Sequence, residues 1–434
     1  MAKNINKKKL VQYIQECINL YNSSALHGFP ELPFLMFTRN DKSYMLGGAS
    51  AEAYLSGLNL LLDYEKLTDK YSSKGITEGF QSLMAKIMEE YAEVPDSKVI
   101  KDELNSWLKS MLEAPEYDIT HYMVVESIRM TQSYSIGKVV LEPLSKDKFE
   151  ELFSKLCDRI DQNKVYPESK KEEIKQTLRQ TDLVSFEPGK YNLSGLMSIT
   201  LSTRDLNHGQ EMALERFREV IHFLRFLGNS VCGDHYGQSF GLRGEVEQGQ
   251  VTELTFFGSH GSAIAMKNLS FPIEMAKIKP DYINLFKSIL VKSPEKRTEM
   301  EHRLINAIVW MSKAIQKPSD STKFLSCCIA IESLLCGDVK ETISKTLSER
   351  LAFLLAKKKE DRVSLVKKMK KIYGIRSQIA HEGKPKKDGD IIIYLPDVRY
   401  YAIFSIFEVA NLLSKEDWEK FEQLRDYLDD FKFS

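Results

Sequence analysis

The stretch IYGIRSQIAHEGKP, residues 372 to 385, sets Arg376 five positions before His381 in a lysine-rich part of the chain. Those two side-chain types are what metal-free cleavage of RNA asks for. A base removes the 2′-hydroxyl proton, an acid protonates the leaving oxygen, and a cation stabilises the charge that gathers on the phosphorus oxygens. Histidine suits proton transfer because its pKa lies near neutrality. Arginine suits the phosphate because its planar fork grips two oxygens and stays charged. Spacing alone decides nothing, since Arg216 with His222 and Arg297 with His302 repeat it in the same chain.

Context separates the three. Arg216 and His222 stand six residues apart within ALERFREVIHFLRFL, so about 240° of helical rotation points them away from each other. Arg297 and His302 lie in EKRTEMEHRL, which reads as a solvated surface. In the third case Leu365, Met369, Ile372, Arg376 and Ile379 follow helical spacing, placing the arginine on an apolar stripe. A charge on such a stripe needs a partner or a task. Glu332, enclosed by apolar neighbours in FLSCCIAIESLLCG, supplies that partner. His381 would lie about 140° around a continued helix. Gly383 and Pro385 in HEGKP predict a helix end near His381 that frees it to turn toward the groove of Arg376. The same contacts also fit a purely structural reading, in which Arg376 pairs with Glu332 and His381 caps the last helical turn.

The elements that must position these residues fall into two parts. Helical periodicity is expected at 10–21, 50–63, 77–92 and 98–113, and again from Glu211 to Leu227 with a stop at Gly228. Strand-like pieces, HYMVVESIRM, GKVVLEPL, GLMSITLS, SFGLRGEV, VTELTFFG and SAIAMKNLSF, lie between and after them. Residues 1–290 therefore read as a mixed α/β region, with a possible subdivision near 115–120 or 190–200. Residues 291–434 read as a helical bundle, its helices expected over His302–Gln316, Thr322–Leu335, Glu341–Ala356, Asp361–Ala380, Asp397–Leu413 and Lys415–Phe431. DIIIYLP is the one strand signal there, and Ser414 with Asp417 resembles a capping box for the last helix. The predicted fold class is α+β overall, an α/β N-terminal region followed by an all-α bundle.

The 434 residues carry no formal net charge, so no global polarity selects nucleic acid or membrane. Locally the balance changes: from Lys340 to Lys387 there are 15 basic residues against 5 acidic ones, a cluster able to follow a phosphate backbone or to form a solvated helix face. The six cysteines are scattered, without a CxxC pair, which fits buried thiols in a reducing, cytoplasmic setting rather than a disulfide framework or zinc ribbon. Cys232 and His235 lack a second ligand pair, so no metal and no cofactor is expected. No P-loop and no Gly-x-Ser-x-Gly elbow occurs. Asp234, His235 and His260 fall in strand-rich loops, where turns are the commoner role. The N-terminal segment is amphipathic, and no apolar run approaches membrane-spanning length.

Two elements taken in order resemble a known family. Ala330-Ile331-Glu332-Ser333-Leu334-Leu335, followed by Tyr373-Gly374-Ile375-Arg376-Ser377-Gln378-Ile379-Ala380-His381, is similar to the paired helices of the HEPN superfamily, most closely its Apea-like branch. The likeness covers roughly residues 300 to 415. It implies a compact helical bundle and a metal-independent endoribonuclease of prokaryotic toxin or anti-phage abortive-infection systems, a hydrolase that leaves a 2′,3′-cyclic phosphate and a 5′-hydroxyl. Arg376 would stabilise the transition state and His381 would move protons. Glu332, Ser377 and Tyr373 would support them, and Lys370, Lys371 and Lys384 would hold RNA. The resemblance also implies a homodimer that joins two motifs, and an N-terminal region that senses a phage-derived or small-molecule trigger. Other HEPN proteins bind nucleotides, RNA or proteins without cutting.

Overall fold

The computed structural model describes residues 5–24, 34–39, 42–91, 94–162, 167–180, 194–233, 236–238, 240–242, 252–257, 260–265, 272–316, 319–337, 343–385 and 388–431. It is α+β, with helices predominating and a wholly helical stretch at the C-terminal end. The chain divides into two compact units, one of residues 1–121 and 200–215, the other of residues 122–199 and 216–434.

The first unit contains helices α1 (Lys7–Ser24), α2 (Ala49–Leu62), α3 (Glu65–Thr68), α4 (Ser73–Glu90) and α5 (Ser97–Glu113), with a hairpin of β1 (Phe34–Arg39) and β2 (Lys42–Gly47). Leu10, Ile14, Leu58, Phe80 and Leu104 meet in its core, as their helical spacing predicts. Side chains set the helix starts. Ser72 accepts from the Gly75 amide and donates to Asp205 at 2.5 Å, and Asp96 accepts from the amides of Lys98 and Val99.

The strand elements are β3 (Tyr117–Glu126), β4 (Ile128–Arg129), β5 (Tyr134–Ile136), β6 (Val139–Pro143), β7 (Ser194–Thr203), β8 (Gly241–Leu242), β9 (Thr252–Phe257), β10 (His260–Ala265) and β11 (Ile273–Glu274). Five of them form one sheet in the order β5-β6-β7-β3-β8, and β9 with β10 makes an antiparallel hairpin. Of SFGLRGEV, only Phe240, Gly241 and Leu242 are described, the last two as β8. Helices α6 (Lys146–Gln162) and α7 (Glu168–Gln180) follow β6.

Helix α8 (Leu206–Cys232) passes through Gly228 instead of stopping there. A Cβ at that position would stand 3.0 Å from the Ile273 side chain, so glycine serves a close approach of β11 and not a helix end. Phe223 and Phe226 of α8 then pack with Phe286 of α9 (Pro280–Val291) and Phe407 of the bundle.

The bundle comprises α10 (Glu299–Gln316), α11 (Asp320–Leu335), α12 (Ile343–Leu355), α13 (Lys359–Glu382), α14 (Asp388–Leu413) and α15 (Phe421–Asp430). Two expectations fail. DIIIYLP is not a strand but the first part of α14, which runs on with Pro396 inside it. Its β-branched run buries Ile391 against the bundle, and this packing outweighs local strand preference. Ser414 does not open a helix: its hydroxyl donates to the Asn411 carbonyl, and α15 begins at Phe421, where the Gln423 side chain accepts from the amides of Glu419 and Lys420. Cys17, Cys327 and Cys328 are buried thiols, whereas Cys157, Cys232 and Cys336 are half-buried.

Between α8 and α10 lies a polar cluster. The His222 Nδ1 stands 2.8 Å from the Ser312 hydroxyl, which also accepts from Arg225. Burial first, then the positive charges of Arg225, Lys313 and Arg218, pushes the His222 pKa down to about 4. The native imidazole is neutral, while the unfolded chain takes up a proton near the ordinary value of 6.5. The unfolded state therefore binds more protons between those values, and this contribution to stability is lost as pH falls from about 6.5 toward 4. Urea unfolding at pH 7 and pH 4.5 is expected to show His222→Gln losing less stability on acidification than wild type, by a difference on the order of 3 kcal/mol at most. An identical pH dependence in both proteins refutes this role for His222.

Candidate functional site

Helix α11 is apolar on nearly every side, burying Phe324, Cys327, Cys328, Ile331, Leu334 and Leu335, and packs against α10, α13 and α14. Glu332 sits in its last turn, where the helix dipole disfavours a carboxylate. Three arginines answer this. Arg303 of α10 donates to the carbonyls of Ser333 and Cys336, and Arg350 of α12 donates to the Leu335 carbonyl. Both guanidinium groups lie against the Phe421 ring, at 4.4 and 5.4 Å from its centre.

Arg376 of α13 is the third. Its Nε donates to one Glu332 oxygen at 3.0 Å and its Nη2 to the other at 3.2 Å, with the two side chains 29% and 21% exposed. This is the partnership that the arginine's apolar-stripe position predicts, and Met369, Ile372 and Ile379 of that stripe are buried beside it. Burial works against the Arg376 charge, but Glu332 more than offsets it and holds the pKa above its ordinary value. Glu332 takes one edge of the guanidinium. The Nη1 edge is not engaged by that carboxylate, and the five N–H donors of an arginine exceed the two used here.

Tyr373, one turn earlier, is buried with its hydroxyl sealed from solvent. Burial, and then the neighbouring Glu332 carboxylate, push its pKa far upward, so the phenol is neutral at any physiological pH. The hydroxyl lies beside the Glu332 carboxylate but outside strict hydrogen-bonding geometry.

His381 does not turn out of the helix. Helix α13 continues to Glu382, and only Gly383, with φ of 75°, closes it, donating its amide to the Ile379 carbonyl at 3.0 Å. The glycine signal in HEGKP acts one step later than the expectation required. His381 stays in regular helix, exposed, about 140° around from Arg376. No hydrogen bond or ion pair of the described residues joins them. His381 shares an exposed stripe with Lys370, Gly374 and Ser377, at steps of four, three and four, and Lys371 and Lys384 are exposed as well.

The two competing spacings resolve differently. Arg216 pairs with Glu219 at 3.0 Å, while His222 faces Ser312. Arg297 is no solvated surface residue: its side chain is 2% exposed and forks onto the same Glu219. Neither arginine meets its histidine. Sequence reasoning found Glu332 and Arg376 but missed Arg303 and Arg350, whose polar neighbours gave no periodic anomaly to notice.

Asp234 and His235 lie outside the described residues, as do Lys340, Lys386 and Lys387 of the basic cluster. Among the described residues, no group of three or more His, Cys, Asp or Glu could hold a metal ion, and no helix is long and apolar enough to cross a membrane. Comparison with protein-family models, curated proteins and solved structures finds no match.

Two substitutions test the arrangement. Glu332→Ala leaves Arg376 half-buried without its partner and is expected to cost about 2 kcal/mol in urea unfolding, whereas the double variant with Arg376→Ala falls short of the summed losses. Additive losses would mean that the pair is not coupled. Tyr373→Phe removes a buried hydroxyl that lies beside Glu332 without well-formed hydrogen-bond geometry and is expected to cost no more than about 1 kcal/mol in urea unfolding.

Proposed function

We propose that the chain is a homodimeric, metal-independent endoribonuclease of the HEPN type, with Arg376 binding the scissile phosphate and His381 transferring protons. The observation that supports this most is the presentation of Arg376. Glu332 fixes the guanidinium from one edge at the end of a buried helix and leaves its other edge available to phosphate oxygens. Exposed Lys370 and Lys371 precede Arg376 on α13 and exposed Lys384 follows that helix, and the Ser377 hydroxyl, on the next residue and exposed, can donate to a phosphate.

Arg376 and His381 face different directions within one protomer. On this reading the productive pair forms between copies, the histidine of one chain meeting the phosphate held by the arginine of the other, which is why a dimer belongs to the proposal. The prokaryotic defence role, the cytoplasmic setting, and a phage-derived or small-molecule trigger acting through the N-terminal region complete it by the same resemblance.

A second reading is favoured by one observation, the two-pronged Arg376–Glu332 pairing, which suffices to explain why an arginine stands on an apolar stripe. In that reading the bundle is a non-catalytic module that binds a nucleotide, RNA or a protein. Cleavage assays separate them. Wild-type protein in EDTA is expected to leave 2′,3′-cyclic phosphate ends, and His381→Ala to cut at least about 100-fold more slowly. RNA cut equally by both proteins removes His381 from the mechanism, and RNA left intact by wild type favours the binding module.

A further inference from the structure

Helix α14 carries an apolar face that the bundle does not cover. Ile393, Tyr400 and Phe404 follow one another at steps of seven and four and are 64%, 54% and 42% exposed. The Tyr400 and Phe404 ring centres lie 4.2 Å apart with the planes tilted by 32°, and Tyr401 meets Tyr400 edge-on. Beside them opens a cavity of about 300 Å3 between α12, α13 and α14, lined in part by Lys357, Ser364, Lys368 and Tyr400. Its one carboxylate is Asp361, and Lys368 is steadied by Asp397 at 3.1 Å.

The charge around this face narrows what it can meet. From Lys357 to Lys371 there are eight basic residues and two acidic ones. An apolar or acidic protein segment would satisfy either the rings or the lysines. A ligand that alternates flat, weakly polar rings with phosphates satisfies both. A duplex hides the faces of its bases in its own stack, so the rings could engage only an unpaired strand. Distance is compatible with this: Lys368 lies eight residues before Arg376 on α13, about 12 Å along the helix, so a strand of a few nucleotides spans the two.

We propose that the Tyr400–Phe404 platform, with Lys357 and Lys368 at its edge, is a binding subsite for single-stranded RNA in which an unpaired base stacks on the exposed Tyr400 ring. The inference rests on the nuclease reading for its orientation toward Arg376, and it names the substrate as unpaired RNA held away from the cleavage position.

Binding can be measured without cleavage in the full chain carrying His381→Ala, by fluorescence anisotropy with a mixed-sequence RNA of roughly 15 nucleotides, single-stranded or annealed to its complement. The single strand is expected to bind more tightly than the duplex. Tyr400→Ala is expected to weaken it about tenfold, and Tyr400→Trp to restore it, because stacking is sequence-tolerant and needs only an aromatic face. Equal affinity of Tyr400→Ala and its parent, or equal affinity for duplex and single strand, overturns the subsite. So does a change of oligomeric state in Tyr400→Ala, read by light scattering, with RNA affinity unaltered, since the face would then join two copies of the chain. Failure of the nuclease reading is visible elsewhere, as RNA left uncut by wild type, and does not alter this comparison.

Discussion

A carboxylate in the last turn of a helix that fills the core is the constraint around which the C-terminal bundle is arranged. Glu332 meets the negative end of its own helix dipole and has little water to screen it. Its partner must therefore be a cation delivered by another helix, in a geometry good enough to compensate desolvation. The planar fork of Arg376 meets that demand where the point charge of a lysine would not. Once α13 is fixed by this contact, the exposed face that carries His381, Ser377 and the lysines is fixed with it. Arg303 and Arg350 finish the task by taking the carbonyls that α11 leaves open, and their contact with Phe421 ties α15 to the same point.

One edge of Arg376 holds α13 to α11 through Glu332, and its Nη1 edge is not engaged by that carboxylate. A substitution at Arg376 thus removes a structural ion pair together with any phosphate contact, whereas His381, exposed and in regular helix, can be changed with little structural consequence. Loss of activity at the histidine is the cleaner signal.

Much of this was legible in the residues because it left anomalies. An arginine on an apolar stripe and a glutamate inside an apolar helix are each costly alone, so their pairing followed from energetics before any coordinates. The presence of six helices in the bundle followed from periodicity in the same way, although the starts of α14 and α15 did not. What was not legible depended on neighbours distant in sequence. Gly228 looked like a helix stop because nothing local reveals that Ile273 packs against it. DIIIYLP looked like a strand because its three β-branched isoleucines favour one locally, while burial of Ile391 in the bundle decides otherwise. Ser414 and Asp417 had capping spacing, yet the hydroxyl found a carbonyl at the end of α14 first. Gly383 was identified correctly as a terminator, but its effect fell beyond His381 rather than before it, and that single step decides which way the histidine faces.

Pro396 gives α14 an internal seam. The proline has no amide proton, so the Ile392 carbonyl lacks its helical donor, and the turns on either side are tied together less firmly than a continuous ladder would tie them. Downstream, Val398, Ala402, Ser405, Ile406 and Val409 are buried and bind the helix to the bundle; upstream, Ile392 and Ile393 are among the most exposed apolar residues described. Pro396 thus falls between a stem of α14 held by many buried side chains and a tip whose isoleucines are divided, Ile391 buried and Ile392 and Ile393 exposed.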